Sequence, residues 1–178
     1  MNEEVLEIWK TSIRGIAERA LDVEGDFVEC GSYLGVSSKV LAEVCKTHLH
    51  LFDSWEGVSE LAVVDNPIYK TLNWNTDIEN IKNNLSEFSN ISFYKGWFPK
   101  RFIEIENKKI SLLHLDCSLY EPTKISLEYM WDKMSVGGYV ICNTHEGIST
   151  GPEAATRDFF KNKRELITLP LGILVAIK

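Results

Sequence analysis

The stretch Asp26-Phe27-Val28-Glu29-Cys30-Gly31-Ser32-Tyr33-Leu34-Gly35, continued by Val36-Ser37-Ser38-Lys39-Val40-Leu41-Ala42-Glu43-Val44, sets the topology of this chain. Apolar residues lead into an acid and a glycine turn. Apolar residues then recur at helical spacing, at Val36, Val40, Leu41 and Val44. The pattern predicts a strand, a tight turn and a helix, which together form the first unit of an open α/β nucleotide-binding sheet.

The turn also restricts the ligand. A dinucleotide fingerprint reads G-x-G-x-x-G, whereas Gly31 and Gly35 give the spacing G-x-x-x-G. Glu29, at the carboxyl end of the predicted strand, would repel a pyrophosphate and would suit a cationic ligand. S-adenosylmethionine (SAM) has no phosphate and carries a sulfonium and an ammonium group. We therefore predict SAM as the cofactor, with contacts from Glu29, Gly31, Ser32, Tyr33, Gly35 and Ser37.

Length and charge restrict the class of protein. The 178 residues predict a single domain over 1–178, with an N-terminal helix in 1–22 and a sheet core in 23–178. The net charge of −7 and the lack of a basic run argue against nucleic-acid binding. No apolar run approaches the ~18 residues of a membrane span. The acidic start and the absence of CxxC pairs predict a cytoplasmic protein with reduced cysteines.

Asp53 ends the second predicted strand, 47–53, and lies 24 positions after Glu29. An acid about 20 residues past the glycine turn holds the ribose hydroxyls in nucleoside-binding α/β units. We therefore assign Asp53 to the ribose, with Ser54 beside it. The alternative is that Asp53 caps a following helix.

The rest of the chain predicts further alternation of helices and strands. An amphipathic helix covers 3–21, with Val5, Ile8, Trp9, Ile13, Ile16 and Ala20 on its apolar stripe. Residues 61–75 lack a period and suggest an irregular flap. Helices are predicted over 76–88, 121–134 and 153–163, strands over 90–94, 110–116 and 139–143, and a turn at 136–138. Strands 166–169 and 172–177 are separated by too few residues for a crossover, so they predict an antiparallel hairpin.

The predicted fold is therefore an α/β, Rossmann-like, seven-stranded mixed sheet with helices on both faces and a C-terminal antiparallel hairpin. Five phrases in this order resemble the macrocin O-methyltransferase (TylF-like) family of class I SAM-dependent methyltransferases. They are Phe27-Val28-Glu29-Cys30-Gly31, Leu51-Phe52-Asp53-Ser54-Trp55-Glu56-Gly57, Lys95-Gly96-Trp97-Phe98-Pro99, His114-Leu115-Asp116-Cys117-Ser118-Leu119-Tyr120-Glu121-Pro122-Thr123 and Gly137-Gly138-Tyr139-Val140-Ile141.

The resemblance implies an O-methyltransferase that acts on a hydroxylated small molecule, typically a sugar of a natural product. It implies that Glu29, Gly31 and Asp53 hold the methionine and ribose parts of the cofactor, and that the turn at Gly96 lies by the adenine. Trp97, next to that turn, could cover the adenine or simply pack in the core. Asp116 matches the position that binds a divalent ion, usually Mg²⁺, and serves as the base, and we also expect it to contact the cofactor.

Two departures from the family pattern reduce the charge available to a metal. Ser118 stands where the family has a second acid, and Asn143-Thr144 stands where it has a pair of acids. Asp116 with the neutral oxygens of Asn143 and Thr144 would form a weaker site, because Mg²⁺ prefers charged oxygen ligands. Without metal, His145 or Asp116 would act as the general base. The alternative for His145 is an ordinary surface histidine, whereas His114 is predicted to be a hydrogen-bonded core residue.

Two other functions remain open from the sequence. The acid substitutions are compatible with a chain that binds SAM but has lost activity, serving as a paralogue or a partner subunit. Tyr120 and Lys124 form the Tyr-x-x-x-Lys pair of short-chain dehydrogenases, although Pro122 lies between them. The oligomeric state, including a homo-oligomer, is also open.

Overall fold

The computed structural model describes residues 2–72, 74–145 and 148–178. Within them, one mixed sheet has the strand order β3-β2-β1-β4-β5-β7-β6. Strands β1 to β5 are parallel, and β7 runs antiparallel to both β5 and β6. The strands are β1 Asp26–Cys30, β2 Leu49–Asp53, β3 Ile91–Lys95, β4 Ile110–Leu115, β5 Met134–Asn143, β6 Ile167–Leu169 and β7 Ile173–Ile177. The predicted seven-stranded sheet and its terminal hairpin are confirmed.

Helices cover both faces of this sheet, as predicted. They are α1 Glu3–Ala20, α2 Val36–Val44, α3 Ile78–Asn84, α4 Tyr120–Met130 and α5 Thr150–Phe160. Side chains alternate between the faces along β1: Phe27 packs with Ile13 of α1 and Leu41 of α2, whereas Val28 packs with Leu127 of α4 and Phe160 of α5. This alternation divides the core into two layers, one on each side of the sheet. No helix among the described residues is long and apolar enough to cross a membrane.

The turn after β1 requires glycine. Gly31 has a φ of +88°, and a Cβ added there would lie 2.3 Å from the carbonyl oxygen of Asp116. The end of β1 therefore packs directly against the chain that leaves β4, which only a residue without a side chain permits. This contact brings the two acid-bearing segments, after β1 and after β4, to one edge of the sheet.

Several predicted boundaries are wrong. The predicted turn at 136–138 lies inside β5, whose pairing with β4 shifts register between Ile110 and Leu112. Gly137 accommodates the irregularity with a φ of +85°. The third helix, predicted over 76–88, is Ile78–Asn84, and it begins later than predicted because Asp77 accepts the capping bond from the backbone N–H of Glu79.

Helices α1 and α5 also differ from their predictions. On α1 the buried side chains are Trp9, Ile13, Ala17 and Ala20, while Ile8 of the predicted stripe is 47% exposed. Small alanines, rather than larger apolar residues, complete the face because α1 packs closely on α2 and the sheet. Helix α5 begins at Thr150 and ends at Phe160, one turn earlier than predicted at each end.

The segment 61–75, of which Asn73 lies outside the described residues, is irregular as predicted apart from a short 3₁₀ turn, Pro67–Lys70. It is docked onto the rest of the chain. The buried carboxylate of Asp65 accepts from the backbone N–H of Tyr120 at 2.8 Å, and the hydroxyl of Thr150 donates to the carbonyl of Val64 at 2.6 Å. These bonds attach the segment to the N-termini of α4 and α5.

Candidate active site

A first cavity of about 250 Å³ opens at the carboxyl ends of β1, β2 and β4. Gly31, Asp53 and Asp116, from the ends of these three strands, line it. The turn after β3 adds Gly96, Trp97 and Phe98, and α4 adds Pro122 and Ile125. Three carboxylates and no Lys or Arg are found among the described residues of the lining. The cavity is therefore suited to a cationic ligand with an apolar ring, and unsuited to a phosphate.

A second cavity of about 500 Å³ adjoins the first. The two share Gly31, Tyr33, Trp74, Asp116 and Ser118. The walls of the second cavity that are not shared are mainly apolar, with a histidine and two hydroxyls, and consist of Ser32, Tyr69, Leu72, His145, Ile148 and Leu171. Asp116 therefore stands where two ligands, one in each cavity, would meet.

Asp53 organises the turn after β1. Its Oδ2 accepts from the backbone N–H groups of Ser32 and Tyr33 at 2.8 and 2.9 Å, and its Oδ1 accepts from that of Trp55 at 2.7 Å. Burial raises the pKa of Asp53, and these three backbone bonds oppose the rise. No helix directly follows β2, so the predicted alternative, a helix cap, is wrong. The carboxylate lines the first cavity, where the ribose was predicted.

Glu29 is not where the sequence predicted it. Its side chain has no exposed surface and lines neither cavity. The carboxylate is instead bound by the hydroxyl of Ser38 and, at 2.9 Å, by Nδ1 of His114. The prediction for His114, a hydrogen-bonded core residue, is confirmed, and its partner explains why Glu29 turns inward. A direct contact between Glu29 and a cofactor in the first cavity is not part of this arrangement.

Asp116 is the centre of a hydrogen-bonded chain. Its Oδ1 lies 2.8 Å from Nε2 of His145, and its Oδ2 accepts from the amide nitrogen of Asn143 at 3.2 Å. The amide oxygen of Asn143 in turn accepts from the indole N–H of Trp9 on α1 at 2.8 Å. The loop after β4, the end of β5 and α1 thus contribute to one group of side chains.

The charges of Asp116 and His145 stabilise each other. Burial would raise the pKa of Asp116, but the neighbouring imidazole and the bond from Asn143 outweigh burial and lower it. Burial would lower the pKa of His145, but the charge of Asp116 and its hydrogen bond outweigh burial and raise it. An ionised carboxylate only accepts hydrogen bonds, so Nε2 of His145 donates to it and Nδ1 is the other ring nitrogen.

Backbone strain is concentrated at the two cavities. Of the five described non-glycine residues with positive φ, four line a cavity, namely Tyr33, Ser118, His145 and Leu171. Such conformations cost on the order of 1–3 kcal/mol each and cluster at functional sites. The clustering of these conformations at the cavities is typical of a functional site.

The structure brings most of the predicted cofactor residues to the cavities. The first cavity is lined by Gly31, Tyr33, Asp53, Ser54, Gly96, Trp97 and Asp116, and the second also by Ser32. Gly35 and Ser37 line neither. Trp97, for which packing in the core was the alternative, is 39% exposed at the cavity wall. Asn143 and Thr144, predicted as metal ligands, are buried and line neither cavity.

Sequence reasoning missed Trp9, Tyr69 and Trp74. Trp9 was assigned only to the packing face of α1, and no periodicity marks Tyr69 and Trp74 in an irregular segment. The dehydrogenase alternative is not supported by the geometry. The hydroxyl of Tyr120 lies 3.4 Å from a carboxylate oxygen of Asp158, and Tyr120 lines neither cavity.

A seven-stranded sheet of this order, with ligand cavities at the carboxyl ends of β1, β2 and β4, is the architecture of a nucleoside-binding α/β enzyme. The family described as macrocin-O-methyltransferase (TylF) matches residues 6–174. The chain belongs to the macrocin-O-methyltransferase (TylF) family.

Individual relatives agree with this family. Over 140 residues the chain is 25% identical to the 8-demethyl-8-(2,3-dimethoxy-alpha-L-rhamnosyl)-tetracenomycin-C 4'-O-methyltransferase of Streptomyces olivaceus. The match covers 69% of this chain, which spans about half the length of that relative, 54%.

Two solved structures share the fold. The O-methyltransferase NovP superposes with a TM-score of 0.77 at 21% identity, over 95% of this chain and 78% of that one. The calicheamicin methyltransferase CalS11 superposes with a TM-score of 0.81 at 19% identity, over 96% and 79%.

Proposed function

We propose that this chain is a SAM-dependent O-methyltransferase that acts on a hydroxyl of an uncharged small molecule. The first candidate for this acceptor is a sugar of a natural product. The observation that carries the proposal is the meeting of two cavities at Asp116, with His145 bound to it and lining one of them. One cavity suits the methyl donor and the other suits the acceptor.

The first cavity fits SAM by its chemistry. Asp53 and Asp116 offer carboxylates to a ligand that carries positive charge and vicinal hydroxyls, and Trp97 and Phe98 offer apolar surface to an adenine. Two buried polar atoms beside the cavities, Oγ of Ser32 and Nε1 of Trp74, have no partner among the described residues. Buried polar groups are nearly always satisfied, so these atoms are available to a ligand. When bound, SAM supplies the methyl group of its sulfonium.

His145 is proposed to receive the proton of the acceptor hydroxyl. With Nε2 donating to Asp116, the lone pair of the neutral imidazole resides on Nδ1. The carboxylate fixes this tautomer and stabilises the imidazolium that forms, as the aspartate does in a Ser-His-Asp triad. General-base assistance of this kind contributes about 10²–10⁴ in rate.

The lining of the second cavity supports an uncharged acceptor. Tyr69, Leu72, Ile148 and Leu171 give it apolar walls, and neither Lys nor Arg is among its described lining residues. A nucleotide-activated sugar carries a diphosphate, which is usually bound by such cations. The Streptomyces olivaceus relative is named for a rhamnosyl group on tetracenomycin C. CalS11 is named as a TDP-rhamnose 3'-O-methyltransferase, so for this chain the preference for a neutral acceptor comes from the cavity walls and not from that neighbour. A sugar already attached to an apolar aglycone fits these walls better than a sugar diphosphate.

Two experiments test the proposal. Calorimetry with S-adenosylhomocysteine (SAH) and with NAD should give saturable heat for SAH alone, and heat from NAD alone would contradict it. Transfer of labelled methyl from SAM to a panel of neutral rhamnosides should exceed transfer to thymidine diphosphate rhamnose, and His145→Gln should retain SAH binding but lose transfer. SAH binding without transfer to any acceptor would instead favour the inactive paralogue or partner subunit.

We also propose that the protein is cytoplasmic. The four cysteines, Cys30, Cys45, Cys117 and Cys142, are free thiols, which supports a reducing cytoplasmic compartment. A homo-oligomer stays a prediction, and light scattering of the purified chain would test it.

A further inference from the structure

We infer that the hydrogen-bonded side chains of Trp9, Asn143 and Asp116 occupy the position where the family resemblance predicts a divalent ion. The protein therefore binds no Mg²⁺ at that position. The consequence for catalysis, methyl transfer without a divalent cation, rests on the proposed function. The inference depends on which atoms of Asp116, Asn143 and Thr144 are available as ligands.

The hydrogen bond from Trp9 determines the orientation of the Asn143 amide. An indole N–H is a donor only, so the atom 2.8 Å from Nε1 of Trp9 must be the amide oxygen. Both side chains are buried, with exposures of 5% for Trp9 and 1% for Asn143. Turning the amide over would leave two buried donors facing each other. The bond from Trp9 therefore fixes the orientation of the Asn143 amide.

In this orientation Asn143 presents a hydrogen-bond donor to Asp116. The amide nitrogen of Asn143 faces Oδ2 at 3.2 Å, and it is a donor without a lone pair for a metal. The other carboxylate oxygen, Oδ1, is bound by His145 at 2.8 Å. Both oxygens of Asp116 thus already accept hydrogen bonds, and the neighbour that would have been a second carboxylate is a donor instead.

The other candidate ligands, Thr144 and Ser118, are both uncharged. The hydroxyl of Thr144 donates to the carbonyl of Gly172 at 2.8 Å, and Ser118 is uncharged. Across the described residues, no three His, Cys, Asp or Glu side chains lie close enough to hold a metal ion. Mg²⁺ keeps several water ligands and binds proteins through one or two carboxylates in near-octahedral geometry. Among Asp116, Ser118, Asn143 and Thr144, Asp116 is the one carboxylate, and both of its oxygens are already hydrogen-bonded. The donors around Asp116 do not fit it.

Calorimetric titration of the full chain with MgCl₂ tests the inference, and SAH titrated into the same sample reports separately on the proposed cofactor site. We expect saturable binding of SAH and none of Mg²⁺, and the affinity for SAH should be the same in EDTA. Stoichiometric Mg²⁺ binding that Asp116→Asn abolishes would overturn the inference. Failure of SAH to bind would count against the proposed function alone.

A variant gives the converse test. Asn143→Asp keeps an acceptor for Trp9 and places a second carboxylate against Asp116, so it should show saturable Mg²⁺ binding where the wild type shows none. Asn80→Asp adds the same charge on the exposed face of α3 and should gain none. Equal Mg²⁺ affinity in Asn143→Asp and wild type, with SAH binding retained, would overturn the inference. If Asn143→Asp does not fold, the wild-type titration still decides.

Discussion

Nδ1 of His114 lies 2.9 Å from Oε1 of Glu29, and neither side chain has any exposed surface. Glu29 belongs to β1 and His114 to the neighbouring β4, at positions that pair directly in the sheet. The hydroxyl of Ser38, on α2, binds the other carboxylate oxygen. These buried hydrogen bonds therefore connect β1, β4 and α2 next to the Gly31 turn, and they stabilise the position of that turn.

Glu29→Gln is expected to lower stability more than cofactor affinity. Hydrogen bonds to a carboxylate contribute about 1.5–3 kcal/mol, so the free energy of unfolding in urea should fall by about that amount. The affinity for SAM in calorimetry should change little. The exposed Glu7→Gln on α1 is the control and should cost less than about 0.5 kcal/mol. A large loss of SAM affinity with unchanged stability would restore Glu29 as a direct cofactor contact.

Asp53→Ala is expected to weaken SAH binding by about 1.5–3 kcal/mol, because a charge-assisted bond to the ribose is lost. Stability should also fall, since the backbone N–H groups of Ser32 and Tyr33 lose their acceptor. Asp77→Ala removes an acceptor of the same kind from the N-terminus of α3, away from the cavities. It should cost about 1 kcal/mol of stability and leave SAH affinity unchanged. Equal SAH affinities in the two variants would remove Asp53 from the binding site.

The rate of methyl transfer is expected to rise with pH. The pKa of His145 lies above its ordinary value because the charge and hydrogen bond of Asp116 outweigh burial. A general base must be neutral, so kcat/KM should rise through a pKa above about 6.5, the ordinary value for histidine. Asp116→Asn removes the raising charge, so the rising limb should move to lower pH while the rate falls. A pH-independent rate would exclude His145 as the base.

Two glycine-to-alanine changes should have opposite effects. Gly151→Ala places a Cβ 1.7 Å from a carboxylate oxygen of Asp65 and 2.7 Å from the backbone nitrogen of Tyr120, so the docked segment 61–72 must shift. Overpacking of this kind costs about 1–3 kcal/mol or more. Gly15→Ala, on the exposed face of α1 with nothing within 4 Å of the new Cβ, should stabilise by about 0.5–1 kcal/mol. Thermal denaturation measures both, and a stabilised Gly151→Ala would contradict the docking of the segment.

The fold was predictable from the sequence because its strongest signals are local. The apolar run before Gly31 and the helical spacing from Val36 to Val44 specify a strand, a turn and a helix without reference to distant residues. The three residues between Leu169 and Ile173 are too few for a crossover, so the antiparallel hairpin also followed. Boundaries failed where a distant contact intervened, as in β5, which begins five residues earlier than predicted because Met134 pairs with Ile110 of β4.

The pattern of apolar runs was enough to predict a mixed seven-stranded sheet with a terminal hairpin, and to place Asp53 and Asp116 at the strand ends where the cavities open. The reason is that the carboxyl ends of parallel strands meet at one edge. By contrast, the inward turn of Glu29 to His114 and the orientation of the Asn143 amide toward Asp116 are visible only in the folded chain. The residue that fixes Asn143 is Trp9, 134 positions away in the chain, and no local pattern encodes the direction of a hydrogen bond across that separation.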